Sequence, residues 1–124
     1  MKDRRTRVFV YGTLMQGERN HLLIASDELV GPARTAPHYE LVNLETYPAL
    51  IRGGHTAVSG EVYAVAEDTL VALDELEGHP EYYQRGLIVL EDGALAQAYL
   101  LPRHEVVDQP RLLDGRWRQR APSG

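Results

Sequence analysis

The sequence of 124 residues contains no cysteine. That excludes a disulfide framework, a thiolate metal site and a cysteine nucleophile, and it fits a reducing compartment. Positive charge is scarce: 13 Lys and Arg stand against 18 Asp and Glu, for a formal net charge of −5. Such a chain has no electrostatic footprint for nucleic acid and no basic amphipathic helix for a membrane surface. Long apolar runs are missing as well. Nothing approaches the ~18 apolar residues of a spanning helix. After the basic start "MKDRRTR" the apolar run stops at Gly12, too early for a signal-peptide core. The expectation is a soluble cytoplasmic protein with no nucleic-acid or membrane partner and an oligomeric state left open.

Several catalytic signatures are missing too. Gly12 and Gly17 have the spacing of a phosphate-binding loop, but Glu18 and Arg19 follow where Lys and Ser/Thr are needed. Glu18 would repel phosphate there. His21, His38, His55, His79 and His104 form no HExxH and no i, i+4 pair, so no metal or other cofactor is expected. No G-x-S-x-G elbow occurs, and Thr13 has no sequence-local base to activate it.

What is present is ordinary globular material. Hydrophobic residues make up 44% and charged residues 25%, which argues for one folded domain over residues 1–124, with a loose tail from about residue 118. "RVFVY" (7–11) reads as a strand that breaks at Gly12-Thr13. "NHLLIAS" (20–26) reads as a short helix. "GPARTAPHYELVNL" (31–44) opens on turn residues and becomes a strand near 38–44. "TYPALIRGG" (46–54) is an extended piece ending in a turn, and "SGEVYAV" (59–65) is a strand. "EDTLVALDELEG" (67–78) is the clearest helix, with Gly78 placed to end it. Residues 86–102 read as two strands joined by Asp92-Gly93, a strong hairpin signal. Five or so strands with few helices predict an α+β domain on a curled or barrel-like sheet.

The helix carries the most informative residue. At roughly 100° per residue with Leu70 at zero, Leu73, Leu76 and Ala66 fall at about 300°, 240° and 320°, an apolar arc that should face the core. Asp68 and Glu75 fall outward at about 160° and 140°. Glu77 falls at about 340°, inside the apolar arc. A carboxylate there is costly unless paired or protonated. It also stands in the last turn, where the helix dipole disfavours negative charge. Both effects raise its pKa and suit it to carry a proton near neutral pH. The other reading is structural: the chain turns at Gly78-His79-Pro80, so Glu77 swings to water or pairs with Arg85.

"VYGTL" (10–14), "GERNH" (17–21), "YPALI" (47–51), "GEVYAV" (60–65) and "LDELEGHPEYYQR" (73–85) occur in this order. Together they resemble the γ-glutamylcyclotransferase-like superfamily, in its γ-glutamylamine cyclotransferase and AIG2-like branch. The resemblance implies a small mixed β-barrel-like sheet with flanking short helices. It implies release of an amine from a γ-glutamyl amide while the glutamyl part closes to 5-oxoproline, without a cofactor. It puts the catalytic acid/base on Glu77, the substrate loop on Tyr11, Gly12, Thr13 and Leu14, and a site tyrosine on Tyr83. The segment "MQGERNH" is only loosely like the family's usual loop. In this chemistry the substrate's own α-amine is the nucleophile, which agrees with the lack of a protein nucleophile. The alternatives are a non-catalytic module of the same fold that binds a small ligand or a protein, and hydrolysis of the amide by water.

Overall fold

The computed structural model describes residues 5–117. The tail expected to be loose from about residue 118 lies outside the described residues. The elements run β1 (Thr6–Val10), β2 (Glu28–Arg34), β3 (Tyr39–Asn43), β4 (Pro48–Arg52), β5 (Ser59–Val65), α1 (Glu67–Glu77), β6 (Gln84–Val89) and β7 (Leu95–Leu100). All seven strands form one mixed sheet in the order β2-β5-β1-β7-β4-β3, with β6 added on β7. The sheet does not close into a barrel: β2 and β3 end it.

β1 is buried on both sides, which is why "VFVY" reads as a continuous apolar run. Val8 and Val10 join the core that includes Leu73 of α1, while Phe9 and Tyr11 join a second core with Leu50, Ile88 and Trp117. β6 and β7 form the expected hairpin, with Gly93 at a φ of 90° in its turn. α1 ends as expected at Gly78, whose φ of 68° is the left-handed conformation that glycine adopts without strain.

Three details differ from the expectations. The strand that the pattern did not reveal is β2, which contains Gly31 and Pro32 and carries an irregularity between Leu29 and Gly31. It stands at the end of the sheet, where proline and a bulge are tolerated. The helix expected over residues 20–26 is only a single 3₁₀ turn, His21–Leu23; of its neighbouring apolar residues Ile24 enters the core, while Leu22 is 88% exposed. Leu76, placed in the core-facing arc, is 46% exposed. It lies on the last turn of α1 and borders an open cavity instead of packed sheet.

One feature of the sheet creates the site. β6 pairs with β7 along its whole length, from Gln84↔Leu100 to Val89↔Leu95. β1 and β4 therefore both have to use the other edge of β7. Each touches it in parallel at one register point, Val8↔Gln97 for β1 and Leu50↔Leu100 for β4. Two strands sharing one edge must fork, and the end of β1 leaves the sheet at that fork.

Candidate active site

The fork is tied together by a tyrosine. Tyr11, just past β1, donates its hydroxyl to the Tyr99 carbonyl at 2.6 Å and accepts from the Leu50 N–H at 3.0 Å. Its hydroxyl thus joins β7 to β4 where β1 departs. Burial holds its pKa far above the usual tyrosine range, so it stays a neutral hydrogen-bonding group. Gly12 follows because nothing larger fits: a Cβ there would lie 2.6 Å from two ring carbons of Pro48. The close approach that glycine permits is first of all to this ring.

The chain then turns through Gly12–Leu14. Met15 N–H bonds the Gly12 carbonyl at 3.1 Å, and Asn20 N–H bonds the Thr13 carbonyl at 2.8 Å. The Asn20 side chain donates to the Thr13 hydroxyl at 2.9 Å, and His21 Nδ1 lies 2.9 Å from the Leu14 carbonyl. Carbonyls and hydroxyl are thereby used. Among the described residues, none accepts a hydrogen bond from the N–H groups of Gly12, Thr13 or Leu14. A short run of unclaimed N–H groups suits an anion.

Gly12, Thr13 and Leu14 line a cavity of about 160 Å³, together with Val10, Pro48, Tyr83, Tyr99 and Glu77. Every residue that the sequence singled out, Tyr11, Gly12, Thr13, Leu14, Glu77 and Tyr83, borders this one space. Glu77 projects from the last turn of α1, as the helical spacing predicts, and burial raises its pKa to about 7. Desolvation is the sole cause. Among the described residues no cation pairs with its carboxyl, and Arg85, the partner weighed from sequence, is committed elsewhere.

Arg85 makes a two-pronged pair with Asp74, Nε to Oδ1 at 2.8 Å and a terminal nitrogen to Oδ2 at 3.1 Å. Asp74 Oδ1 also accepts from the Tyr99 hydroxyl at 2.7 Å. Burial opposes the charge on Asp74, yet the bonds from Arg85 and Tyr99 outweigh it and hold its pKa below the usual value. Asp74 stands one turn before Glu77, so the pair fixes the end of α1 against β6 and β7. Tyr83 donates its hydroxyl to the Pro48 carbonyl at 2.6 Å, not to Glu77, and contributes its ring to the cavity wall.

The site residues missed by sequence reasoning are Tyr99, Pro48, Tyr47, Tyr82 and Asn20, all on the cavity wall. "YPALI" reads as an extended piece and as one of the motifs of the resemblance, with no site role for Tyr47 or Pro48. No local pattern marks Tyr99, which reads as an ordinary inward position of β7.

A mixed sheet forked beside a cavity that a desolvated carboxyl borders defines this small α+β domain. The chain belongs to the gamma-glutamyl cyclotransferase, AIG2-like family, which it matches over residues 8–119. A Vibrio cholerae protein provisionally named gamma-glutamylcyclotransferase is 42% identical over 117 residues, 91% of this chain and 96% of that protein. Human gamma-glutamylaminecyclotransferase is 39% identical over 102 residues, which cover 70% of this chain and 65% of that protein. The crystal structure of an AIG2-like protein from Mus musculus has a TM-score of 0.75 at 26% identity, covering 96% of this chain and 92% of that one.

Proposed function

We propose that this protein is a γ-glutamyl cyclotransferase that releases an amine from a small γ-glutamyl amide and forms 5-oxoproline. The observation that carries the reading is Glu77: a carboxyl facing the cavity, unpaired among the described residues, with a pKa of about 7. The names of the relatives support the same chemistry.

The substrate's α-ammonium is inert until it loses a proton. Glu77 in its ionised form takes that proton. The freed amine attacks the γ-carbonyl, and the carbonyl π pair moves to oxygen. The oxyanion then collapses and the bond to the leaving nitrogen breaks as Glu77 returns its proton to that nitrogen; the ring nitrogen sheds its second proton, which the regenerated carboxylate passes on, so the amine leaves as an ammonium. Atoms balance without water and without a protein nucleophile. The Gly12, Thr13 and Leu14 N–H groups serve the substrate carboxylate or the oxyanion. Ring closure is intramolecular, so holding the glutamyl chain folded in the cavity is much of the work. A carboxyl at about 7 suits both halves of the task, since it is near half-ionised at neutral pH.

The test is 5-oxoproline release from a panel of γ-glutamyl amides, by wild type beside Glu77→Gln. Release by wild type and a loss of at least ~10²-fold in the variant are expected. Release that survives the substitution removes Glu77 from the mechanism. Free glutamate as product points to hydrolysis, and no turnover of any amide points to a non-catalytic binding module of this fold.

A further inference from the structure

The loop 78–83 joins α1 to β6 and carries part of the cavity wall. Tyr82 and Tyr83 stand on it, and Glu77 is the residue before it. Backbone bonds fold the loop back on itself. His79 N–H bonds the Asp74 carbonyl at 2.9 Å, Tyr82 N–H the Gly78 carbonyl at 2.7 Å, and Tyr83 N–H the Glu77 carbonyl at 3.2 Å. A side chain closes it: Nδ1 of His79 accepts from the Arg85 N–H at 3.0 Å. Over Gln84–Val89, β6 is paired with β7 alone. The Arg85 N–H thus finds its acceptor in an imidazole and not in a second strand.

His79, Asp74 and Arg85 form one linked set. The His79 N–H and the Arg85 guanidinium both go to Asp74, one to its carbonyl and the other to its carboxylate. The set ties the last turn of α1, the loop and the start of β6 together, and Glu77 lies inside it. Asp74 of α1 and Arg85 of β6 are the charged groups that face the partly buried ring. Glu77 does not feel the ring's field, since desolvation alone shifts its carboxyl. What His79 does for Glu77, it does through geometry. Nδ1 can accept only in the neutral tautomer that carries its hydrogen on Nε2; an imidazolium has a hydrogen on each nitrogen and no acceptor. Protonation therefore sets two donors against each other at the Arg85 N–H.

We propose that His79 is a positioning residue: its neutral imidazole holds the loop that sets Tyr82 and Tyr83 at the cavity and Glu77 toward it, and a proton on Nδ1 releases that hold. The assay for this rests on the cyclotransferase reading above. Two protonations then silence the enzyme in acid. One, on Glu77, removes the base; the other, on His79, removes the geometry.

The experiment follows kcat/KM for 5-oxoproline release from about pH 5 to about pH 9 in wild type, His79→Asn and His79→Leu. Asn offers an amide oxygen in place of Nδ1 and does not titrate; Leu offers no acceptor. His79→Asn should stay close to wild type at about pH 8, and His79→Leu should fall roughly tenfold or more there, because a misplaced base costs rate steeply. In acid, log kcat/KM should fall with a slope steeper than unity in wild type and with unit slope in His79→Asn. Side-chain ¹⁵N NMR of wild type, with the His79 signals assigned by their loss in His79→Asn, should show Nδ1 without a hydrogen at about pH 8; this reading and the Asn profile decide the matter if His79→Leu does not fold. A hydrogen on Nδ1, equal acid slopes in wild type and His79→Asn, a folded His79→Asn as impaired as His79→Leu, or a fully active His79→Leu each overturn the proposal while the cyclotransferase reading stands. No release by wild type at any pH removes that reading, and the proposal with it.

Discussion

Ionising Glu77 should destabilise the fold, and its burial sets the size of the effect. The carboxyl moves from an ordinary 4.5 to about 7 in the folded protein. The folded state therefore holds this proton more tightly than the unfolded one. Stability from this group is complete below the unfolded value and is lost as pH rises through the folded value. The gap corresponds to about 3 kcal/mol, an upper figure because water reaches the carboxyl from the cavity. Glu77→Gln is neutral at every pH. The variant should match wild type near pH 4 and exceed it by about 2–3 kcal/mol at about pH 8. Trp117 is the single tryptophan and is buried, so its fluorescence reports urea unfolding of both proteins across this range. In thermal unfolding the same difference is roughly 10 °C. Catalysis should run the other way, with wild-type kcat/KM rising on a limb near pH 7 and the more stable variant nearly inactive. A stability difference that stays flat from about pH 4 to about pH 8 would refute the desolvation argument.

Three further outcomes follow from the geometry. Gly12→Ala puts a methyl 2.6 Å from the Pro48 ring, so the loop must shift; a loss of about 1–3 kcal/mol in urea unfolding is expected, with a fall in kcat/KM. Tyr11→Phe removes the hydroxyl that joins Leu50 N–H to the Tyr99 carbonyl in a buried place, and should cost about 2–3 kcal/mol in the same assay. Asp74→Asn weakens the Arg85 pair and should cost about 1 kcal/mol at neutral pH. The folded pKa of Asp74 is depressed, so its contribution is present above the ordinary carboxylate value and lost as pH falls. The cost of Asp74→Asn should therefore vanish in acid, opposite in sign to the trend for Glu77→Gln.

What sequence reveals here is what local spacing controls. The apolar arc of α1 and Gly78 mark the helix, and the same arc picks out Glu77 as a charge on the wrong face. Asp92-Gly93 marks the β6–β7 hairpin. β2 stays hidden because Gly31 and Pro32 are turn residues, and only its place at the sheet end makes them acceptable in a strand. Leu76 misleads for a related reason: helical spacing says which residues share a face, not where the neighbouring sheet stops. Arg85 was weighed as a partner for Glu77 but pairs with Asp74, one turn earlier. The site contacts themselves span the chain. Tyr11 meets Tyr99 across 88 positions and Tyr83 meets Pro48 across 35. Tyrosine at such places signals burial, and nothing in its local pattern names the carbonyl that it serves.

The polar groups of the cavity divide into two sets, and the division explains why Glu77 behaves as it does. The tyrosines are nearly all spent on architecture. Tyr11 serves Tyr99 and Leu50, Tyr83 serves Pro48, Tyr99 serves Asp74, and Tyr47 and Tyr82 share one bond. A phenol has one hydrogen to donate, and Tyr11, Tyr83 and Tyr99 give theirs elsewhere, so these rings border the cavity beside Glu77 without stabilising its charge. Had Tyr83 turned its hydroxyl from Pro48 to Glu77, that bond would favour the ionised form and lower the pKa. The base would then be a weak one, ionised but reluctant to take a proton. The fork in the sheet prevents this, because holding β1, β4 and β7 at one point uses the hydroxyls that would otherwise reach the carboxyl. The raised pKa of Glu77 is in this sense a consequence of the topology: two strands on one edge of β7 need bridging, and the bridges leave the carboxyl without a donor.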